Sequence, residues 1–278
     1  MQIIILGSGQ DAGVPQISCD CQNCSRARKN PKLKLLGPSI ALLDSGKKYC
    51  YLIDASPDIK HQIESIKEII PKVKTQETIP ISGIFLTHAH FGHVSGLWSF
   101  GKECIDTQEI TVFCSAKMSE FLVKNHPFSH MLARKNFCIS EVKINQTYPI
   151  EDFKITSIQV PHRDEYADTV GYIIEQNKKL LYLPDLDYWT EDLIKLVESV
   201  DIALIDGSFY SKDELPGRDD VPHPPIEETM KLLNPTKTEI YFTHFNHTNS
   251  ILQKEGKERK ETQEKGFQLA YDGLIINI

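Results

Sequence analysis

Three histidines within six residues, directly after an apolar segment, constrain this chain more than any other feature. His88, His90 and His93 follow the segment Ile81–Leu86. On an extended backbone, residues two apart point to the same face, so His88 and His90 converge where the predicted strand ends. His93 comes after Gly92, where the chain can turn back. A surface loop that is rich in histidine by chance would not require this spacing. Neutral imidazole is the commonest ligand of zinc-like metals, so the sequence predicts a metal site here.

The composition is that of a soluble globular protein. Of the 278 residues, 40% are hydrophobic and 25% are charged, so the chain can form one large two-layer domain. The formal net charge of −7 argues against a dedicated nucleic-acid binder, whose surface is normally basic, but it allows a small anionic substrate. No apolar segment has the length of a membrane span, and Met1–Gly7 lacks the positive start of a signal peptide. We therefore expect a cytoplasmic protein without a membrane partner.

A second candidate metal site lies in a run of cysteines. Cys19, Cys21 and Cys24 form C-x-C-x-x-C, which is too tight for disulfides within itself but suits three thiolates on one zinc. A redox or surface-thiol motif is the alternative. A structural zinc needs a fourth ligand, and the candidates are His247 and His223. The other cysteines are interpreted as small buried hydrophobic side chains: Cys50, Cys104, Cys114 and Cys138.

Strand-like and helix-like segments alternate along the chain. Residue types that favour strands, bounded by Gly, Pro, Asp or Asn, predict strands at Gln2–Leu6, Ser39–Leu43, Tyr49–Ile53, Gly83–Leu86, Thr111–Cys114, Phe153–Val160, Thr169–Glu175, Leu180–Leu183, Ile202–Ile205 and Glu239–Phe242. Helices are predicted at Ser56–Ile70, Ser95–Lys102, Ser115–Asn125, Thr190–Ser199, Pro225–Leu233 and about Glu258–Lys265. This order predicts an α/β fold with two sheets between outer helices and strand-end loops gathered at one edge.

Three further strand ends carry residue types that bind metals. His162, Asp185 and His244 each come two residues after the end of a predicted strand. Each alone has an ordinary interpretation, as a capping carboxylate or as a hydrogen-bonded loop histidine. Together with His88 and His90, they predict a site that distant segments assemble at one sheet edge.

The pattern resembles the H-x-H-x-D-H signature of the metallo-β-lactamase superfamily, followed in order by the later ligands of that family. The resemblance implies a four-layer αββα sandwich of two mixed β-sheets flanked by helices. No repeat or break in composition divides the sequence, so we predict a single domain over residues 1–278, with a small cysteine-rich zinc-binding loop at about 19–24. The resemblance also implies two active-site metal positions, the first held by His88, His90 and His162 and the second by His93, Asp185 and His244.

The same resemblance implies roles for individual residues. Asp185 would bridge the two metals, and Asp185 and His244 are the candidate catalytic residues. Asp54, after an early strand, resembles an aspartate that orders the loop more than it binds metal. We expect Zn²⁺ at the structural site and in the active site. Mn²⁺ and Fe²⁺ are alternatives in the active site, because all three ions accept His and Asp ligands.

A narrower resemblance concerns the amino terminus. Gly7–Gly9, Gly13–Pro15 and the cysteine run are similar to the start of two subfamilies, the pyrroloquinoline-quinone biosynthesis B protein and the cyclic phosphodiesterase of phosphonate degradation. In the phosphodiesterase, a structural zinc uses three cysteines and a histidine shortly after the last active-site histidine. His247 matches that position, so the resemblance favours His247 over His223. Four segments resemble the quinone-biosynthesis branch: Asp206–Tyr210, Asp213–Pro216, Asn246–Asn249 and Tyr271–Gly273.

Gly92 departs from the signature, because it stands where the family has an aspartate that helps to hold the second metal. We therefore expect the first metal position to fill and the second to be weak, unless another carboxylate helps. Asp11 and Asp164 are the candidates, and a loop-ordering or surface role is the alternative for both. On this interpretation, Gly92→Asp should tighten the second metal and raise hydrolysis.

Three classes of function follow. The first is hydrolysis of a phosphodiester or another small anionic ester by metal-activated water, with Arg163 on the rim orienting the substrate. The second is iron-dependent oxidation, as the quinone-biosynthesis resemblance implies. The third is a non-catalytic binding module, which the survival of most expected ligands argues against. We predict the hydrolase, and the sequence leaves a homodimer open.

Overall fold

The chain alternates between strands and helices in the computed structural model, which describes residues 1–44, 46, 49–69, 81–214, 217 and 221–278. The strands are β1 (Gln2–Gly7), β2 (Ser39–Leu43), β3 (Cys50–Ile53), β4 (Gly83–Phe85), β5 (Ile110–Cys114), β6 (Phe137–Glu141), β7 (Thr147–Ile150), β8 (Phe153–Gln159), β9 (Val170–Glu175), β10 (Lys179–Leu183), β11 (Ile202–Asp206), β12 (Glu239–Thr243), β13 (Gln268–Leu269) and β14 (Ile275–Asn277). The α-helices are α1 (Gln22–Lys29), α2 (Ile59–Ile69), α3 (Phe91–Val94), α4 (Ala116–Lys124), α5 (Phe128–Ala133), α6 (Glu191–Glu198), α7 (Ile226–Leu232) and α8 (Lys257–Glu264).

The strands form two seven-stranded sheets. The order is β14-β1-β2-β3-β4-β5-β6 in the first sheet and β13-β12-β11-β10-β9-β8-β7 in the second. β3 runs parallel to β4, and β10, β11 and β12 run parallel to one another. The carboxyl ends of parallel strands meet at the same edge of a sheet, so residues that follow these strands are brought together.

Alternating side chains of each sheet face opposite layers, because successive residues of a strand point to opposite faces. Ile3 and Ile5 of β1 lie between the sheets with Tyr172 and Leu204 of the second sheet, whereas Ile4 faces outward. The outer face of the first sheet packs on α2 and α4, and that of the second packs on α6 and α7. The predicted four-layer αββα sandwich is therefore confirmed.

All ten predicted strands are present, each within one residue at either end. The sequence patterns do not predict β6, β7, β13 and β14, and these four are the edge strands of the two sheets. Edge strands are half exposed, so they lack the continuous apolar run of a central strand. In β7, Pro149 also removes a backbone donor, which a sheet tolerates at its edge.

The helix predictions differ from the structure in two ways. Ser95–Lys102 is a 3₁₀ segment at Ser95–Phe100, and the short helices α1, α3 and α5 are not predicted. The predicted helix Ser56–Ile70 is α2, whose last predicted residue lies outside the described residues, as do two residues of the Asp213–Pro216 segment. Within the described part of the chain, no helix is long and apolar enough to cross a membrane.

The interpretation of four cysteines as buried is half wrong. Cys50 and Cys114 are buried, but Cys104 and Cys138 are exposed. Cys138 lies on the edge strand β6, and Cys104 lies in the loop that follows the 3₁₀ segment. At this edge of the sheet Phe137 of β6 is buried, but the next residue, Cys138, is left exposed.

Candidate metal centre

The predicted metal ligands meet at one edge of the sandwich. His88 and His90 follow β4, Asp185 follows β10, and His244 follows β12. His162 follows β8, which runs in the same direction as β10 because β9 is antiparallel to both. The topology therefore places all five side chains beyond the carboxyl ends of strands, from both sheets.

Three imidazoles form the first donor group. His88 Nε2 lies 3.0 Å from His90 Nδ1, and His162 Nε2 lies 3.2 Å from the same atom. Ligands bound to a tetrahedral zinc at about 2.0 Å are roughly 3.3 Å apart, so these nitrogens are spaced for one metal ion. Burial, reinforced by His93, lowers the pKa of His88 well below its usual value. The His88 ring is therefore neutral, with a lone pair available to a metal.

Asp185 lies between this group and a second one. Its Oδ1 lies 3.6 Å from His162 Nε2, whereas its Oδ2 lies 3.0 Å from His93 Nε2 and 3.4 Å from His244 Nε2. Burial raises the pKa of the Asp185 carboxyl, but the surrounding imidazoles outweigh it and hold that pKa well below its usual range. An ionised carboxylate with one oxygen toward each group has the arrangement of a bridging ligand.

Three buried atoms of this centre have no hydrogen-bond partner among the described residues: His93 Nε2, His244 Nε2 and Asp185 Oδ2. The atoms of the His93–Asp185 pair are close, but they are not aligned as a hydrogen bond. Each unpaired buried polar group costs about 1–3 kcal/mol. Bound cations would remove that cost. Each of these three residues belongs to a group of candidate metal donors whose atoms lie within 4.8 Å of one another, so the residues present fit a metal centre.

Asp54 fixes the orientation of His93. Asp54 Oδ2 lies 2.7 Å from His93 Nδ1, and Thr87 donates to Asp54 Oδ1 from its backbone N–H at 2.8 Å and its hydroxyl at 2.9 Å. Burial disfavours the charged form of His93, but Asp54 and Asp185 outweigh it and hold the His93 pKa well above its usual value. A carboxylate behind a histidine in this way selects the ring nitrogen that faces the metal. The structure thus places Asp54 behind a predicted ligand, and a metal ion bound at His93 Nε2 would displace the ring proton that the raised pKa favours.

Two carboxylates that the sequence reasoning missed hold other ligands. Asp187 Oδ1 lies 2.6 Å from His162 Nδ1, and Glu165 Oε1 lies 3.3 Å from His90 Nε2. Asp187 follows Asp185 by two residues and Glu165 follows His162 by three, so proximity to a predicted ligand was the available signal. Both imidazoles therefore present their remaining nitrogen to the centre.

His223 lies beside the metal centre and away from the cysteine run. Its ring centroid is 5.4 Å from that of His162 and 6.0 Å from that of His244. His223 Nδ1 lies 2.6 Å from Asp206 Oδ2. Burial lowers the pKa of His223, but Asp206 outweighs it and raises that pKa to about 9. The structure thus places His223, a sequence candidate for the structural zinc, beside Asp206 and next to the predicted active-site ligands.

The cysteine run and His247 form a separate donor group. Cys19 Sγ and Cys21 Sγ lie 3.4 and 3.6 Å from His247 Nδ1, and Cys24 completes a group whose donor atoms are all within 4.8 Å of one another. A hydrogen bond from the Cys21 backbone lowers the pKa of Cys19, whereas burial raises that of Cys24 to about 12. Three thiols and one imidazole at this spacing fit a tetrahedral zinc, which stabilises the thiolate form.

Gly92 has no room for a side chain beside the present position of Asp11, which argues against the expectation that Gly92→Asp strengthens the site. A Cβ built on Gly92 would lie 2.4 Å from Asp11 Cα and 2.5 Å from Asp11 Oδ1. The Gly92 N–H also donates to Asp11 Oδ1 at 3.2 Å. The other candidate carboxylate, Asp164, is exposed. Of the two candidates, Asp11 is therefore the one in contact with the motif.

The fold and this centre define the class of protein. The sequence model of the beta-lactamase superfamily domain matches residues 49–245, which is more than half of the chain and includes the metal centre from His88 to His244. The chain belongs to this family. The recognition of a metallo-β-lactamase fold from the sequence is therefore confirmed.

Full-length relatives carry the name coenzyme PQQ synthesis protein B. That of Nitrosococcus oceani is 29% identical, with 99% of each chain covered, and that of Methylorubrum extorquens is 28% identical, with 100% of each covered. Zn²⁺-bound PqqB from Methylobacterium extorquens superposes with a TM-score of 0.87 at 27% identity, covering 100% of each chain. A diphosphatase of the PhnP family gives a TM-score of 0.72 at 24% identity, covering 100% of this chain and 97% of that one, and shares the fold.

Proposed function

We propose that the protein is a metal-dependent hydrolase of a phosphodiester or another small anionic ester. The observation that carries the proposal is the position of Asp185, with one carboxylate oxygen toward His162 and the other toward His93 and His244. His88, His90 and His162 would hold one metal ion, and His93, Asp185 and His244 a second. A bound metal lowers the pKa of its water toward about 7 and polarises a phosphoryl oxygen.

His223 supplies the proton for the leaving group in this proposal. His223 Nδ1 is hydrogen-bonded to Asp206 Oδ2. The other ring nitrogen, His223 Nε2, lies 3.5 Å from Gln10 Nε2. Asp206 raises the pKa of His223 to about 9, which favours the cationic form of this buried ring beside the predicted metal ligands. A cation there favours an anionic substrate, and a positioned imidazolium can act as a general acid. Arg163, exposed next to His162, adds positive charge at the rim.

The second candidate is oxidation at iron in quinone biosynthesis. It is favoured by relatives that are named for PQQ synthesis and match the chain over almost its full length. Histidine and carboxylate ligands with open positions also suit ferrous iron. The two candidates differ in what the metal-loaded protein consumes, because hydrolysis consumes water and oxidation consumes an oxidant.

Activity with bis(p-nitrophenyl) phosphate decides between them. We expect protein loaded with Zn²⁺ or Mn²⁺ to release p-nitrophenol equally well with and without oxygen, and chelation to abolish release. The control is the same protein with His90→Ala. The same assay is made with Fe²⁺-loaded protein. Absence of ester hydrolysis with Zn²⁺, Mn²⁺ and Fe²⁺, together with oxygen uptake by the Fe²⁺ form alone, would overturn the hydrolase in favour of oxidation.

His223→Gln should change the pH profile of hydrolysis. A general acid must be protonated, so activity falls as pH rises through the pKa of His223. The midpoint of this alkaline limb of the pH–rate profile should lie between about pH 6.5 and 9, because bound metal cations oppose the effect of Asp206 on the pKa of His223. We expect His223→Gln to lower kcat by about 10²–10⁴-fold and to remove the alkaline limb, with metal content unchanged. An unchanged alkaline limb would assign the proton to another group.

A further inference from the structure

Asp11 occupies the space that the motif aspartate needs. Its Cα and Oδ1 lie 2.4 and 2.5 Å from the position of a Cβ on Gly92. Real Cβ atoms do not approach other atoms so closely, so a side chain on residue 92 and the present position of Asp11 exclude each other. In any aspartate the carboxylate oxygens lie about 2.4 Å or more from Cβ, given ordinary bond lengths. Asp11 Oδ1 lies 2.5 Å from the Cβ position of residue 92, which is about the distance at which an aspartate at position 92 would place its own carboxylate oxygen.

The backbone holds Asp11 at this position. Phe245, directly after the ligand His244, accepts a hydrogen bond from Gln10 N–H at 3.0 Å and donates to the Ser8 carbonyl at 2.8 Å. Asp11 itself has a φ of 32°, a left-handed conformation that non-glycine residues rarely adopt. The loop that carries Asp11 is thus joined to the strand end that carries His244.

One oxygen of Asp11 is free for a ligand. Oδ1 accepts the Gly92 N–H, and no hydrogen bond or ion pair of Oδ2 occurs among the described residues. Asp11 is only partly buried. A carboxylate bonded through one oxygen and open at the other is a normal metal ligand.

We infer that Asp11 supplies the carboxylate of the second metal position, in place of the aspartate that the motif lacks at Gly92. This inference rests on the proposed two-metal centre. The same type of ligand comes from a different segment, and the missing side chain at position 92 is what makes room for it. The second position would then be held by His93, Asp185, His244 and Asp11.

Zinc stoichiometry and affinity test the inference without substrate. Asp11→Asn keeps an oxygen that can accept the Gly92 N–H but removes the charge, so the loop should stay folded. We expect Asp11→Asn to weaken the second active-site Zn²⁺ by about 100-fold or more, measured by competition with a chelator, while the first Zn²⁺ and the cysteine-bound Zn²⁺ remain. Asp164→Asn, on an exposed carboxylate near His162, is the matched control and should bind as the unaltered protein does. Unaltered zinc content and affinity in Asp11→Asn would overturn the inference.

Gly92→Asp adds a second test. Its side chain would overlap both the Cα and the Oδ1 of Asp11, so the new residue and the present position of Asp11 exclude each other. Because Asp11 already supplies the carboxylate in this inference, we expect Gly92→Asp to displace Asp11 and to bind the second Zn²⁺ no more tightly than the unaltered protein. A folded Gly92→Asp variant that binds the second Zn²⁺ more tightly would contradict the inference.

The result separates this inference from the proposed function. If Asp11→Asn loses the second Zn²⁺ and the unaltered protein hydrolyses no ester, the ligand assignment stands and the hydrolase proposal fails. If the unaltered protein hydrolyses esters and Asp11→Asn keeps its metals, the hydrolase stands and the assignment of Asp11 fails.

Discussion

His88→Ala and His90→Ala should each abolish hydrolysis and active-site metal, while the cysteine-bound zinc and the fold remain. The two side chains provide two of the three nitrogens in the first donor group, and His90 Nδ1 is the atom that both His88 and His162 approach. Metal activation of water contributes several kcal/mol to catalysis, and each 1.36 kcal/mol is tenfold in rate. We expect kcat/KM to fall by about 10³-fold or more. Metal analysis and hydrolysis of bis(p-nitrophenyl) phosphate measure both effects.

The two variants also control for each other. His88 is 1% exposed and its removal leaves a buried cavity, whereas His90 is partly exposed and its removal disturbs packing less. Loss of the cysteine-bound zinc, or of the cooperative thermal transition, in His90→Ala would contradict the separation into catalytic and structural metals. Full activity in either variant would contradict the ligand assignment itself.

Cys21→Ser should remove one zinc per chain and destabilise the protein strongly. The cysteine run contacts His247, which is more than 200 residues later in the chain and three residues after His244. Asn23 strengthens this junction by donating to the carbonyls of His247 at 3.0 Å and Asn249 at 2.8 Å. A structural zinc binds with about 10–16 kcal/mol in small zinc peptides, and part of that energy stabilises the fold. We therefore expect a loss of several kcal/mol in the free energy of unfolding.

Cys104→Ser provides the matched control for this prediction. Cys104 is exposed, and among the described residues it belongs to no group of metal-type donors. Its replacement should change neither the zinc content nor the thermal midpoint. Zinc content that is the same in Cys21→Ser as in Cys104→Ser would rule out a zinc site at the cysteine run. Loss of zinc without loss of stability would show a site that the fold does not need.

The central strands could be predicted from the sequence, because a strand buried on both faces needs a continuous apolar run. Ser39–Leu43 is predicted with its observed bounds, and all five of its residues are buried. The edge strands could not be predicted in this way. Gln268–Leu269 is two residues long and, within the described part of the chain, pairs with β12 alone, so its strand conformation comes from its neighbour.

The sequence by itself determined the family of this protein and predicted its candidate metal ligands. His88, His90 and His93 lie close together in the chain, and the strand period decides how the first two point, so local geometry is sufficient to predict ligands. The order of the later strand ends, through Asp185 and His244, then identified the family. The family was confirmed, and the fold brings the predicted ligands to one edge of the sandwich, because both inferences depend on residue type and on spacing along the backbone.

Only the tertiary structure decided which residues from distant segments meet. His223 and His247 are equal candidates by residue type, but the fold places His247 at the cysteine run and His223 beside Asp206. Asp11 and Gly92 are 81 residues apart, and their mutual exclusion depends on an approach of 2.4 Å. A contact at that distance depends on the relative position of two loops in the folded protein. The spacing of residues within one segment of the sequence does not predict it.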